Sequence, residues 1–162
     1  MGALTTAKGE MVRAMFTRIA GRYDLMNSVM TGGRHHAWRR LTAAAVAGAP
    51  DGAALDLATG TADLALAVRA ASPRRTVVGA DFAEAMLRAA KPKLAARGER
   101  RVALLAADAL ALPFADKTFA CVTSAIDGSR SAPWRSISAV CNLTPHRRLP
   151  CYARSPCSSR LP

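Results

Sequence analysis

Leu55-Asp56-Leu57-Ala58-Thr59-Gly60-Thr61-Ala62-Asp63 decides how this chain is read. The apolar run from Ala53 to Ala58 is short and ends in a turn, as a buried strand does. From Ala62 to Ala70 the composition turns Ala- and Leu-rich and predicts a helix. Strand, glycine turn and helix in immediate succession make the corner at which α/β proteins meet their ligands. Gly60 permits the tight turn and a close backbone approach. The stretch lacks the full G-x-G-x-x-G, so it is a weak dinucleotide fingerprint, and an ordinary strand–turn–helix corner stays open on these residues alone.

The pattern repeats downstream. Thr76 to Ala80 predicts a second strand ending on Asp81, Ala83 to Arg97 a second helix that stops at Gly98 and carries an awkward Pro92, and Val102 to Ala106 a third strand. Residues 107–113 read as a loop, and Phe119 to Ala125 as a fourth strand. Upstream, Val12, Met15, Phe16 and Ile19 recur at helical spacing over residues 9–20. Further helices are expected over Tyr23 to Met30, ended by Gly32-Gly33, and over His35 to Ala47, closed by Gly48 and Pro50. Strands alternating with helices imply βαβ units and a parallel, Rossmann-like sheet, preceded here by N-terminal helices.

An acid falls at the end of each of the first three strands: Asp56, Asp81 and Asp108. Ligands of such sheets bind beyond the carboxyl ends of the strands. S-adenosylmethionine joins a carboxylate, an ammonium, a sulfonium, a ribose diol and an adenine, and these positions answer it group by group. Asp56 can face the cationic methionine part, and Thr61 can offer its hydroxyl or amide to the methionine carboxylate. Asp81 can accept both ribose hydroxyls, Asp108 can accept from the adenine amine, and the Ala109 amide can donate to a ring nitrogen. Each has a plainer alternative. Asp81 followed by Glu84 reads equally as a helix capping box, and Asp108 as an exposed turn aspartate.

The chain has 162 residues and a formal net charge of +12, with 51% hydrophobic and 5% aromatic residues. That length suits one domain with a sizeable core. The charge invites a nucleic-acid reading, but the arginines are scattered with no aromatics interleaved to stack bases, so no nucleic-acid partner is expected. No stretch reaches the roughly 20 apolar residues of a membrane span, and the first residues carry no signal-peptide core. A cytoplasmic protein is expected, either free or peripheral at the inner face of the membrane. Cys121, Cys141, Cys151 and Cys157 match no zinc or redox spacing, so they are expected to be reduced thiols and no metal site is expected.

Tyr23-Asp24-Leu25-Met26-Asn27-Ser28-Val29-Met30-Thr31, with His35 and Trp38, resembles the N-terminal signature of the ubiquinone/menaquinone-pathway C-methyltransferases: Y-D-x-M-N, an aliphatic residue and a Ser, then H-x-x-W. Thr31 replaces that Ser. Phe16 to Ala20, Leu55 to Asp63, Val78 to Phe82, Glu84 to Leu87 and Ala111 to Asp116 resemble the family as well, so the likeness runs from about residue 10 to residue 125. Ala62 stands where many members have Gly. The resemblance implies a class I S-adenosylmethionine methyltransferase fold with lid helices. It implies methyl transfer to a ring carbon of a prenylated quinol met at the membrane surface, with demethylmenaquinol to menaquinol the favoured case. It makes Thr61, Asp81, Asp108 and the Ala109 backbone the cofactor contacts. Tyr23, Asp24 and His35 become candidates for a base; packing of a lid helix is the alternative for Tyr23, Asn27 and Trp38, and a surface helix for His35 and His36.

From Ile126 the likeness stops. Residues 126–162 hold seven Ser, six Arg, five Pro, three Cys and no Lys. The family's continuation, Phe-Gly-Leu-Arg-Asn and then further strands, does not appear. The expectation is a cofactor-binding half over residues 1–125 with the C-terminal strands missing. The tail is expected to be disordered and basic, an out-of-frame reading of a GC-rich gene, with one sheet edge left open and weak or no activity. Competing readings are another small-molecule methyltransferase with the same cofactor half, and an inactive remnant that at most binds cofactor.

Overall fold

Apolar residues in β1 (Ala54–Leu57), β2 (Val77–Asp81) and β4 (Cys121–Ser124) alternate between two covered faces, β3 (Val102–Ala106) adds Val102 and Leu104 to one of them, and the chain folds around that alternation. The computed structural model describes residues 2–124 and 138–141, with side chains described for residues 9–11 and 13–124. Helices α1 (Gly2–Ile19), α2 (Tyr23–Thr31) and α3 (Arg34–Ala47) precede the sheet, with one 3-10 turn, Ala20–Arg22, between the first two. Helix α4 (Asp63–Ala71) joins β1 to β2, and α5 (Glu84–Ala96) joins β2 to β3.

The strand order is β3-β2-β1-β4-β5, where β5 is Ser138–Cys141. The first four strands are parallel, and β5 runs antiparallel against β4. The order reverses between β1 and β4, which opens a crevice at their carboxyl ends. On one face Ala54, Val77, Val102 and Cys121 pack against Ala43 and Val46 of α3, Leu64, Ala65 and Val68 of α4, and Ala90 and Leu94 of α5. On the other, Leu55, Ala80 and Val122 are covered by Leu112, Phe114 and Phe119 of the loop after β3. The Phe114 and Phe119 rings meet edge to face at 4.8 Å.

The expected elements are present, with three differences. Residues 138–141 form a strand, so the expectation of a tail without strands does not hold there; the rest of residues 125–162 lies outside the described residues. The β4 edge, expected to be open, is paired by β5: Cys121 opposite Cys141 and Ser124 opposite Ser138. Finally, α5 continues through Pro92. Pro92 and the residue four before it, Arg88, are both exposed, so the backbone bond the proline removes lies on the water side.

Candidate functional site

The β1–α4 turn is wound tightly. Ala58, Gly60 and Ala62 all take left-handed φ, at +53°, +57° and +64°. Only Gly60 does so without a Cβ penalty. The turn is held by Thr59 N–H donating to the Ala80 carbonyl at 3.1 Å and Ala62 N–H to the Thr59 carbonyl at 2.9 Å. Ala62 is also the N-cap residue of α4. Ala62→Gly should therefore stabilise the fold by about 0.5–1 kcal/mol, the steric relief exceeding the added chain entropy. Urea denaturation reads this directly, and a loss of stability would show that the Ala62 methyl, fully buried, contributes more by packing than it costs by strain.

Asp81 organises the turn from the neighbouring strand. Its Oδ2 accepts the Gly60 N–H and its Oδ1 the Ala83 N–H, both at 2.8 Å. It is thus a bridge between two turns rather than the start of a capping box. Ala83 is the N-cap of α5 without a side-chain cap, and Glu84 pairs with Arg88. Each carboxylate oxygen keeps a further lone pair, so a diol can still be accepted there. Ala107 N–H donates to the Asp81 carbonyl at 3.0 Å and draws the loop after β3 to the same end of the sheet. Asp108 lies two residues beyond β3, exposed, with its Oδ1 accepting the Leu110 N–H at 2.9 Å; Ala109 is exposed beside it. In this structure Asp108 has the turn role left open above.

Asp56 departs from expectation. It was read as facing the ligand, but it is 1% exposed and lies beneath the turn, on the face covered by α4. Its two oxygens accept the hydroxyls of Thr59 (2.7 Å) and Thr123 (2.8 Å). Gly79, its register neighbour on β2, leaves room for Thr59: a Cβ at Gly79 would come within 2.9 Å of the Thr59 side chain. Burial pushes the Asp56 carboxyl up to about 6, against the lowering by the two threonine bonds. An acid raised in the folded state stabilises fully at low pH and loses that contribution as pH rises through its folded value. Asp56→Asn should accordingly gain on wild type by about 1–3 kcal/mol as pH climbs from about 4 to about 7. Urea midpoints across that range test it; a constant gap between the two proteins would sink the idea.

The signature helix α2 lies over the turn. A Cβ on Gly60 would sit 3.8 Å from the Tyr23 ring and 3.4 Å from the Met86 methyl, so both pack where glycine leaves space. Phe16 of α1 meets Tyr23 edge-on at 6.1 Å and Phe82, just after β2, at 6.3 Å, which makes an aromatic row across the carboxyl ends of the strands. Asp24 Oδ1 accepts the Thr61 hydroxyl at 2.6 Å, and its Oδ2 meets Lys93 Nζ at 2.6 Å. Lys93 also meets Asp63 Oδ1 at 2.6 Å, and Arg39 pairs with Asp63 Oδ2 at 2.9 Å. Helices α2, α3, α4 and α5 are thus joined through one chain of charges. Burial raises the Asp24 carboxyl, but the bonds from Lys93 and Thr61 and the Lys93 charge outweigh it and hold the group below its ordinary value. A carboxyl held low is a poor proton acceptor, so this geometry suits Asp24 to fastening the lid better than to acting as a base.

His35 is buried at the α2–α3 corner, not on the open surface of a helix. Its Nδ1 lies 2.7 Å from Thr31 Oγ1, and its ring lies against that of His36, centroids 3.9 Å apart and planes tilted by 39°. Burial, then the charges of Arg39 and His36, lower its pKa and favour the neutral ring.

The structure therefore brings Tyr23, Asp24, Gly60, Thr61 and Asp81 together, sets Asp108 and Ala109 at the rim, and withdraws Asp56 into the core. Sequence reasoning missed Lys93, Arg39, Thr59 and Gly79. Lys93 is 69 residues from Asp24, and no spacing announces the pair. Among the described residues no cluster of His, Cys, Asp or Glu fits a metal ion.

Sheet, crevice and acid-bridged glycine turn define a Rossmann-like α/β domain with its ligand crevice at the carboxyl ends of the strands. Residues 4–133 match the ubiE/COQ5 methyltransferase family, and the chain belongs to that family. It is 47% identical over 117 residues to the ubiquinone/menaquinone biosynthesis C-methyltransferase UbiE of Desulfotalea psychrophila, covering 72% of this chain and 46% of that protein. It is 49% identical over 111 residues to the demethylmenaquinone methyltransferase of Thermus thermophilus, covering 68% and 50%. The chain spans about half the length of the curated relatives it matches. Among solved structures, a Methanococcus maripaludis protein assigned as an S-adenosyl-L-methionine-dependent methyltransferase shares the fold, with a TM-score of 0.56 at 16% identity over 67% of this chain and 49% of that one. The cofactor the family implies is S-adenosylmethionine.

Proposed function

We propose that this chain carries the cofactor-binding part of a quinone-pathway C-methyltransferase, with a prenylated quinol as acceptor and demethylmenaquinol to menaquinol as the favoured conversion. The observation that carries the reading is the Asp81 carboxylate bridging the Gly60 and Ala83 amides under a lid signature that packs on the same turn. The site's chemistry fits the cofactor. Asp81 keeps acceptor capacity for a diol, Gly60 presents bare backbone, and Asp108 and the Ala109 amide stand at the rim for a base edge. The Thr61 hydroxyl donates its one proton to Asp24 at 2.6 Å, so it has to leave Asp24 before it can meet the methionine carboxylate.

When bound, S-adenosylmethionine supplies an activated methyl group. The chain's own part is alignment and exclusion of water: the Phe16–Tyr23–Phe82 row covers the strand ends, and the Asp24–Lys93 pair keeps α2 in place. A deprotonated quinol needs little further activation at its ring carbon, which agrees with a site whose carboxylates are engaged in hydrogen bonds. Calorimetric titration with S-adenosylmethionine, followed by transfer of labelled methyl to demethylmenaquinol, tests the reading in two stages. Binding without transfer would reduce it to a cofactor-binding module. No binding would remove it.

A further inference from the structure

The Thr61 hydroxyl has one proton to donate and two carboxylates that can take it. One is Asp24, whose Oδ1 accepts it at 2.6 Å. The other is the methionine carboxylate of the proposed cofactor. The two are the same chemical group, so a position that suits one suits the other.

How each residue is held decides which of them gives way. Thr61 is 4% exposed and lies in the β1–α4 turn, pinned by the Gly60 amide on Asp81. The Asp24 side chain is 47% exposed, on a helix with no buried residue among its nine. Asp24 also divides its bonds between its two oxygens. Oδ1 takes Thr61 and Oδ2 takes Lys93 Nζ at 2.6 Å, so the first bond can break while the second holds. Lys93 is anchored independently by Asp63 at 2.6 Å. We propose that Asp24 is an internal stand-in for the cofactor carboxylate: it holds the Thr61 hydroxyl, yields it to the methionine carboxylate when S-adenosylmethionine binds, and stays on Lys93. This role rests on the cofactor reading and adds to it a residue that sets how strongly the site selects a ligand bearing a carboxylate. One charge-assisted bond is exchanged for another, so Thr61 contributes little net affinity while Asp24 is present. Cofactor arrival also releases one tie between α2 and the turn and leaves α2 fastened to α5.

The test is calorimetric titration of the full chain with S-adenosylmethionine and with decarboxylated S-adenosylmethionine, which keeps the amine, sulfonium, ribose and adenine. The readout is the ratio of the two affinities. A looser lid, or a lost attraction between Asp24 and the ligand amine, acts on both ligands alike and cancels in that ratio. Asp24→Asn and Asp24→Ala should each raise the preference for S-adenosylmethionine about ten-fold, because Thr61 no longer has a charged acceptor of its own. The gain should vanish in proteins that also carry Thr61→Val. Thr61→Val alone should leave the ratio within about three-fold of wild type, since the hydroxyl gives the cofactor only what it takes from Asp24. That arm stays decisive if an Asp24 variant fails to fold. An unchanged ratio in the Asp24 variants would overturn the proposal. So would a ten-fold fall in Thr61→Val alone, or a gain that persists beside Thr61→Val and therefore comes from repulsion between carboxylates without a shared hydroxyl. Wild type that binds neither ligand removes the cofactor reading and this role with it; wild type that binds, with a ratio the Asp24 variants do not move, removes this role only.

Discussion

Asp81→Ala should weaken S-adenosylmethionine binding by at least about 100-fold. The carboxylate makes two charge-assisted bonds to backbone amides, with Ala83 on its own β2–α5 turn and with Gly60 on the neighbouring β1–α4 turn. Bonds to a charged group are worth about 1.5–3 kcal/mol each, and each 1.4 kcal/mol is ten-fold in affinity. Alanine removes the acceptor for a diol and also frees the Gly60 amide, so both the contact and the shape of the turn are lost. Asp81→Asn separates the two effects. It keeps one carbonyl acceptor and the side-chain volume, and should fall between wild type and alanine in calorimetric titration. If alanine binds as tightly as wild type, Asp81 is a structural bridge only and the assignment of the crevice fails.

The largest expected loss of stability comes from a residue with no part in the site. Arg75 is 9% exposed, and its guanidinium gathers carbonyls from the connection between α3 and β1. Nη1 donates to the Gly52 carbonyl at 2.8 Å, and Nη2 to those of Pro50 and Ala49 at 3.0 and 3.1 Å. These groups follow the end of α3, where backbone acceptors have no helical partner. Arg75→Met keeps the aliphatic volume and leaves three carbonyls without their donor, so it should cost about 3–5 kcal/mol. That is a large share of a domain's margin of about 5–15 kcal/mol. Arg75→Lys should recover part of it, because a single ammonium can reach only some of the carbonyls. Urea denaturation of the three proteins gives the order; a Met variant within about 1 kcal/mol of wild type would mean that water replaces the guanidinium.

Asp56 and Asp24 show where sequence reading stops. The hydrophobic pattern places Asp56 at the end of β1 but does not say which face of the sheet it takes. Alternation places it on the α4 face beside Gly79 and Thr123, where two hydroxyls satisfy it in the core. A single glycine motif does not carry that information, because the face depends on which strands flank β1. Asp24 was named for its place in a signature. Its partners Thr61 and Lys93 lie 37 and 69 residues away and meet it only because α2 crosses the α4 and α5 termini. The charge total likewise hid a division between arginines that are buried or paired, such as Arg75 and Arg39, and those left on the surface.

The stretch from Leu55 to Asp63, read with Asp81, Asp108 and the Tyr23–Trp38 signature, determined the class of fold, the order of its elements and the turn around which the site is built. Those features are local: hydrophobic period, helix and strand propensity and turn chemistry act within a few residues. Only the tertiary structure decided that Asp81 bridges two turns, that Asp56 is core, that Lys93 ties Asp24 of α2 to Asp63, and that α2 turns its apolar face to solvent. Each depends on the registry of strands and on which helix crosses which, contacts between residues tens of positions apart.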